Sequence, residues 1–181
     1  MTNEISADWF TGFLEGEGCF GITFGIKYSS IIPRAVFTIS QCDEKVLIDI
    51  QSYLASQGIA SKIYQTLQTY ANLKIMPINR IIRWDLKVIS LTDLQKLDAL
   101  LSTCNWHSNK KEEYEKWQQC LKIILEPHTK ANLIEISRIA TTLNSHKGKR
   151  KWTPDLIELR CYEKNGVARL ITHNRKGEKN E

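Results

Sequence analysis

The chain has 181 residues, 25 Lys and Arg against 20 Asp and Glu, and is 42% hydrophobic. With 25% of residues charged and only 9 Gly and 4 Pro, neither a disordered chain nor a collagen-like repeat is plausible. This length suits one compact domain, or one with a small appendage, burying roughly 70% of its unfolded surface. No apolar stretch approaches the ~18 residues of a membrane span. The segment 1–8 carries two acids, no base and no apolar run, unlike a signal or transit peptide. An intracellular setting is expected, a bacterial cytoplasm or nucleoid or an organelle matrix, with no membrane partner.

Residues 1–145 hold 15 bases and 15 acids, whereas 146–181 hold 10 and 5. The whole formal +5 therefore sits in the last fifth, starting at His146, Lys147, Gly148, Lys149, Arg150 and Lys151. A basic appendage on a neutral body fits either a solvated tail or a polyanionic partner, most often nucleic acid. The five cysteines (Cys19, Cys42, Cys104, Cys120, Cys161) contain no C-x-x-C pair. They read as buried small hydrophobes in a reducing compartment, not as zinc ligands or a disulfide framework.

In chain order, Ser6 caps a short helix to about Gly16, with Trp9, Phe10, Phe13 and Leu14 at helical spacing for one apolar face. Gly12 and Gly16, at i and i+4, leave a strip free of side chains where a second helix could approach. Each glycine costs about 1 kcal/mol of helix propensity, so tight packing must compensate. Period two then takes over: Phe20, Ile22, Phe24, Ile26 and Tyr28 alternate with Gly21, Thr23, Gly25 and Lys27. A loop containing Pro33 leads to a strand with Ala35, Phe37 and Ile39 inward and Arg34, Val36, Thr38 and Ser40 outward, giving an antiparallel hairpin. Asp43 caps a helix that Gly58 ends.

The pattern repeats. Residues 61–69 set Ile63, Gln65 and Leu67 against Lys62, Tyr64, Thr66 and Gln68; residues 80–89 set Ile82, Trp84, Leu86 and Val88 against Arg83, Asp85 and Lys87. A helix from about Thr92 to Cys104 follows. Two more helices flank Pro127, and Thr153-Pro154 opens a last one that Asn165-Gly166 closes. The order αββαββα gives an α+β fold, an antiparallel four-stranded sheet with helices on one side. Residues 1–127 form the core domain and 128–181 a helical, basic extension.

The outward sheet face is Thr, Ser, Gln, Lys, Arg, Tyr and Asp, spaced ~6.7 Å along each strand. A β-ribbon fits a DNA major groove, whose base pairs rise ~3.4 Å. A wet sheet face is common, so this feature alone is weak. The first helix ends more unusually, in Leu14-Glu15-Gly16-Glu17-Gly18. At 100° per residue Glu15 and Glu17 cannot share a helix face, and the macrodipole opposes acids at a C-terminus by ~0.3–1 kcal/mol each. A divalent cation, taking carboxylate and main-chain carbonyl oxygens, would relieve that cost.

Phe10-Thr11-Gly12-Phe13-Leu14-Glu15-Gly16-Glu17-Gly18 resembles the LAGLIDADG signature in the positions of its glycines and acids. Both acids are Glu where the consensus has Asp, and Thr11 replaces a small residue. The surrounding αββαββα order strengthens the resemblance. It implies a site-specific double-stranded DNA endonuclease. Signature helices would pack through Phe10, Gly12, Phe13 and Gly16 at a dimer axis, and Glu17 with the Gly16 carbonyl would bind Mg²⁺. Gln41 and Lys45, after the second strand, and Lys110 or Lys111 match the family's remaining site positions. Lys110 is favoured because it precedes Tyr114 by four residues, as in the family pattern.

A single signature implies a homodimer on a roughly palindromic site of about 20 base pairs. Sheet residues Thr23, Lys27, Tyr28, Arg34, Thr38, Ser40, Lys62, Tyr64, Thr66, Gln68, Arg83, Asp85 and Lys87 would face DNA. Lys147, Lys149, Arg150, Lys151, Arg169, Arg175 and Lys176 would touch phosphates, a role to be tested by removing 146–181. The alternative within the family is a catalytically silent relative, an intron RNA maturase or a DNA-binding regulator. An unrelated small-molecule enzyme finds no nucleotide loop or Ser/His/Asp arrangement.

Overall fold

A computed structural model describes residues 5–69, 80–143 and 152–171. Helix α1 (Ala7–Glu17) starts where the Ser6 hydroxyl accepts the Trp9 N–H at 3.1 Å. It passes into strand β1 (Gly18–Lys27) with no intervening loop. Gly18 makes that junction possible: a Cβ there would lie 2.6 Å from the Leu14 carbonyl oxygen and 2.9 Å from Leu14 Cγ.

Strand β2 (Ser30–Gln41) follows a two-residue turn in which Tyr28 and Ser29 both have positive φ, 50° and 64°. That is the turn hand that matches strand twist. Pro33 therefore lies within β2, opposite Phe24, and not in a loop. There the other edge of β2 is between partners, past Ser30 and short of Phe37, a position where a missing N–H is tolerated.

Then come α2 (Glu44–Ser56), β3 (Lys62–Thr69), β4 (Arg80–Val88) and α3 (Leu91–Leu101). They are followed by α4 (Lys110–Ile124), α5 (Lys130–Thr142) and α6 (Pro154–Arg160). Asp43, Ser90, Thr129 and Thr153 cap α2, α3, α5 and α6 through their side chains. The chain ends, among the described residues, in a hairpin of β5 (Cys161–Lys164) and β6 (Val167–Leu170).

This hairpin corrects the expectation of a helix running to Asn165-Gly166. The φ values of 53° and 70° at those residues make a hairpin turn. Asn-Gly supplies the left-handed pair such a turn needs as readily as it ends a helix. Strand β2 organises the sheet: β1 runs along one edge, and β4 and β6 share the other, with β3 beyond β4 and β5 beyond β6.

Phe20 centres the main core. Its ring lies 5.3 Å from Trp117, 5.5 Å from Phe37 and 5.7 Å from Tyr114; truncating it to Ala should cost about 3–5 kcal/mol. Leu47, Leu86, Leu97 and Leu121 pack around this aromatic group. Of the cysteines Cys120 and Cys161 are buried, but Cys42 is exposed, at the turn into α2.

A second cluster joins Ile31 and Leu133 to Trp152, Ile157, Cys161 and Ala168. Removing 146–181 would therefore take packing as well as charge. We expect that truncation to lower the melting temperature markedly in a thermal scan, whereas exchanging Lys147, Lys149, Arg150 and Lys151 for Gln leaves it nearly unchanged.

Candidate functional site

Helix α1 has two faces of different kinds. Phe10 and Leu14 are fully buried, Phe10 against Tyr53 at 5.1 Å. Phe10 thus belongs to its own protomer's core, which corrects the expectation that it lines a dimer surface. Residues 9 and 13 lie about 100° around the helix from 10 and 14. Trp9, 44% exposed, stacks on Phe13 with centroids 5.0 Å apart. Beside this pair Gly12 and Gly16 are exposed, and a Cβ built on either meets nothing within 4 Å. Trp9, Gly12 and Gly16 leave an open strip in the protomer, edged by Phe13, which is half-buried against its own core.

The two acids are used differently. Glu15 Oε1 accepts the main-chain N–H groups of His107, at 2.5 Å, and Ser108, at 2.8 Å. These bonds, His107 first, hold its carboxyl below the usual carboxylate range. Glu15 therefore clamps the segment before α4 to the end of α1. Sequence reading separated it from Glu17 on the helix but gave it no partner, because a bond spanning 92 residues leaves no local signal. Glu17 is the exposed last residue of α1.

The same clamp places Lys110. The Ser108 hydroxyl accepts the Lys110 N–H at 3.2 Å, and Lys110 Nζ pairs with Glu113 at 2.9 Å with only 16% of the side chain exposed. Lys111 faces solvent, 58% exposed, 4.0 Å from Glu115. Gln41 closes β2 opposite Trp84. Because Gly18 pairs with Ile39, β2 runs two residues past the start of β1, which puts Gln41 at the end of the sheet from which β1 leaves α1. Lys45 lies just beyond, in the first turn of α2, its ammonium bonded to Asp49 at 2.8 Å and its pKa raised by that carboxylate. So exposed a pair contributes little to stability.

On the sheet, register aligns Cys19, Thr38, Lys87 and Lys62 in one row and Ser40, Asp85 and Tyr64 in the next. Asp85 organises this surface. It accepts from the Ser40 hydroxyl at 2.6 Å and lies 3.5 Å from Lys87 and 4.0 Å from Arg83. Lys87 also lies 5.4 Å from the Tyr64 ring centroid. Thr66 and Arg83 face each other, the Thr66 hydroxyl bonding the Arg83 carbonyl at 3.1 Å. Nearer the hairpin turn Thr23 and Arg34 pair, both exposed. Lys27 lies 5.6 Å from the ring centroid of Tyr28, whose side chain is 85% exposed. Gln68 occupies β3, its side chain outside the described residues, as are Lys147, Lys149, Arg150, Lys151, Arg175 and Lys176.

The LAGLIDADG endonuclease profile matches residues 10–121, more than half of the chain, and the chain belongs to that family. No curated protein sequence matches it. Among solved structures, the archaeal intron-encoded homing endonuclease I-Vdi141I, complexed with DNA, aligns with TM-score 0.66 at 21% identity. That alignment covers 83% of this chain and 91% of the other. The homing endonuclease I-TnaI gives 0.62 at 19%, over 86% and 95%. I-GzeII, complexed with its DNA target, gives 0.60 at 21%, over 78% of this chain but 45% of the other.

No described helix is long and apolar enough to cross a membrane, and the described residues contain no group of three or more His, Cys, Asp or Glu that could hold a metal ion. One carboxylate and one main-chain carbonyl are enough protein ligands for a hard cation whose other positions are taken by water and substrate phosphate.

The Glu15 clamp has a defined pH signature. A carboxyl whose folded pKa is depressed below its ordinary 4.5 adds stability that is complete above the unfolded value. That stability is lost as pH falls through the folded one. The melting temperature should therefore drop in Glu15→Gln at pH 7, and the gap to wild type should close on acidification below the carboxylate range. A gap constant with pH would argue against the clamp.

Proposed function

We propose that the chain is a site-specific endonuclease that cuts double-stranded DNA as a twofold-symmetric homodimer with Mg²⁺ or another divalent cation. The observation that carries this reading is the exposed Glu17 at the end of an open glycine strip, with Glu15 already committed to main-chain N–H groups. Two α1 helices packed along that strip would bring two Glu17 carboxylates together, each with its Gly16 carbonyl. Coverage of over nine-tenths of I-Vdi141I and I-TnaI but 45% of I-GzeII fits a one-motif subunit.

Glu17 and the Gly16 carbonyl would hold the cation, which when bound supplies charge that polarises the scissile phosphate and acidifies a water molecule. Lys110, enclosed beside the end of α1, would offer positive charge to the same phosphate. Gln41, with a donor and an acceptor on one amide, would orient water at the mouth of the site. Lys45 would add charge at the rim once its exposed pair with Asp49 opens. The outward faces of β1 to β4 would lie in the major groove, and each protomer would contact about ten base pairs. Asp85, placed between Arg83, Lys87 and Ser40, would fix those side chains before DNA arrives.

Cleavage selection on a randomised duplex library with Mg²⁺ should yield a roughly palindromic consensus. Glu17→Gln should bind that sequence but lose cutting by more than the ~100-fold typical of losing a partner one layer further from a metal. Equal behaviour of the two proteins, binding without cutting, would favour the silent maturase or regulator. Sedimentation should give a species near twice 20.9 kDa. Gly12→Leu, whose side chain has room in the protomer, should leave a folded monomer; an undiminished dimer would exclude the glycine strip as the seam.

A further inference from the structure

The β5–β6 hairpin lies outside the αββαββα unit, yet continues its sheet. Its one pairing with β2, Ser30↔Arg169, puts Lys27, Ser30, Arg169 and Tyr162 in a single row across four strands. The hairpin's two faces differ in chemistry. Toward the helices it turns Cys161, Ala168 and Leu170, packed with Ile31 and Phe24. Glu163 is on that side too, its Oε2 accepting the Lys130 N–H at 3.1 Å. Alternation turns Tyr162, Lys164 and Arg169 to the polar sheet face.

Tyr162 is 46% exposed and Lys164 is exposed. The Arg169 guanidinium is held at the β1–β2 turn by an Nη1 bond to the Tyr28 carbonyl at 3.3 Å, while its buried Nε finds no hydrogen-bond partner among the described residues. Cations and a phenol thus point one way and the acid the other, on the surface that also carries Lys27, Tyr28 and Arg34.

We propose that this hairpin is a further DNA-binding element, with Tyr162, Lys164 and Arg169 contacting the outermost base pairs of each half-site. The inference rests on the DNA-cutting reading above and extends it beyond the four-stranded sheet. Distance sets the register. Strand β1 runs from Gly18, next to Glu17, to Lys27 in nine steps of about 3.3 Å. The hairpin is therefore roughly 30 Å from the cutting end, which at 3.4 Å per base pair is about nine base pairs from the centre of the target.

The test selects bound sequences from randomised duplexes with full-length Glu17→Gln, then with Glu17→Gln also carrying Tyr162→Ala, Lys164→Ala and Arg169→Ala. Preference should vanish only at positions about nine base pairs from the centre, and the site selected by the parent should bind the multiple variant about tenfold more weakly. Positions nearer the centre should be unchanged. The same three substitutions in the wild-type background should leave the position of the cut unaltered. Identical outer preferences and affinities would overturn the inference while leaving the nuclease reading intact; a parent that selects no sequence would overturn both. Should the multiple variant misfold, Lys164→Glu, on an exposed side chain, should by itself weaken binding and shorten the hydroxyl-radical footprint at both ends, and an unchanged footprint would count against the proposal.

Discussion

The structure depends on a helix that is anchored on one side and bare on the other. Phe10 and Leu14 fix α1 in the core, and Gly18 lets the chain turn into β1 at once, against the Leu14 carbonyl. With the junction so tight, the last turn of the helix cannot drift, and Glu17 is held directly before the first residue of β1. The opposite face keeps Gly12 and Gly16 without neighbours. Glycine in a helix costs about 1 kcal/mol relative to alanine, and the protomer's own packing recovers none of it at these two positions. A second helix would.

Around that helix the sheet separates its two sides cleanly. Its apolar side meets α2, α3 and α4 through Phe20, Phe37 and Leu86. Its polar side is pre-arranged by Asp85, which sits among Ser40, Arg83 and Lys87. The Glu15 clamp ties the end of α1 to the start of α4, because the loop it holds leads directly into Lys110. One acid of the signature is therefore structural, and the other is left exposed.

Periodicity made the first three-quarters of the fold legible in the sequence. The change from period 3.6 to period 2 at Gly18, the Asp43 cap and the alternation in residues 80–89 each had one local explanation, and the structure keeps them except at Ile82, which is exposed where Leu86 and Val88 are buried. Errors arose where one signal serves two purposes. Asn165-Gly166 ends helices and makes hairpins, and only the docking of Cys161 and Ala168 on Ile31 selects the second. Trp9 and Phe13 fell on an apolar stripe with Phe10 and Leu14, but a helix against one sheet buries only half of so wide a stripe. Pro33 suggested a loop because its tolerance depends on an unpaired stretch of β2, a property of the assembled sheet. Strand order and the reach of Glu15 to His107 and Ser108 are set by contacts distant in sequence. The carboxylate at position 17 was singled out by its place in the signature, and its exposure is a property of the folded helix end.

The central claim is that two copies of residue 17 meet across the seam between glycine-faced helices. A spin label at Glu17→Cys on the dimer, with the accessible Cys19, Cys42 and Cys104 exchanged for Ser, reads that separation directly. Close-packed helices lie about 8–10 Å axis to axis, so the account predicts strong dipolar broadening in the purified dimer, abolished by dilution with unlabelled protein. A stable dimer whose labels show no broadening would place the two carboxylates apart and contradict it.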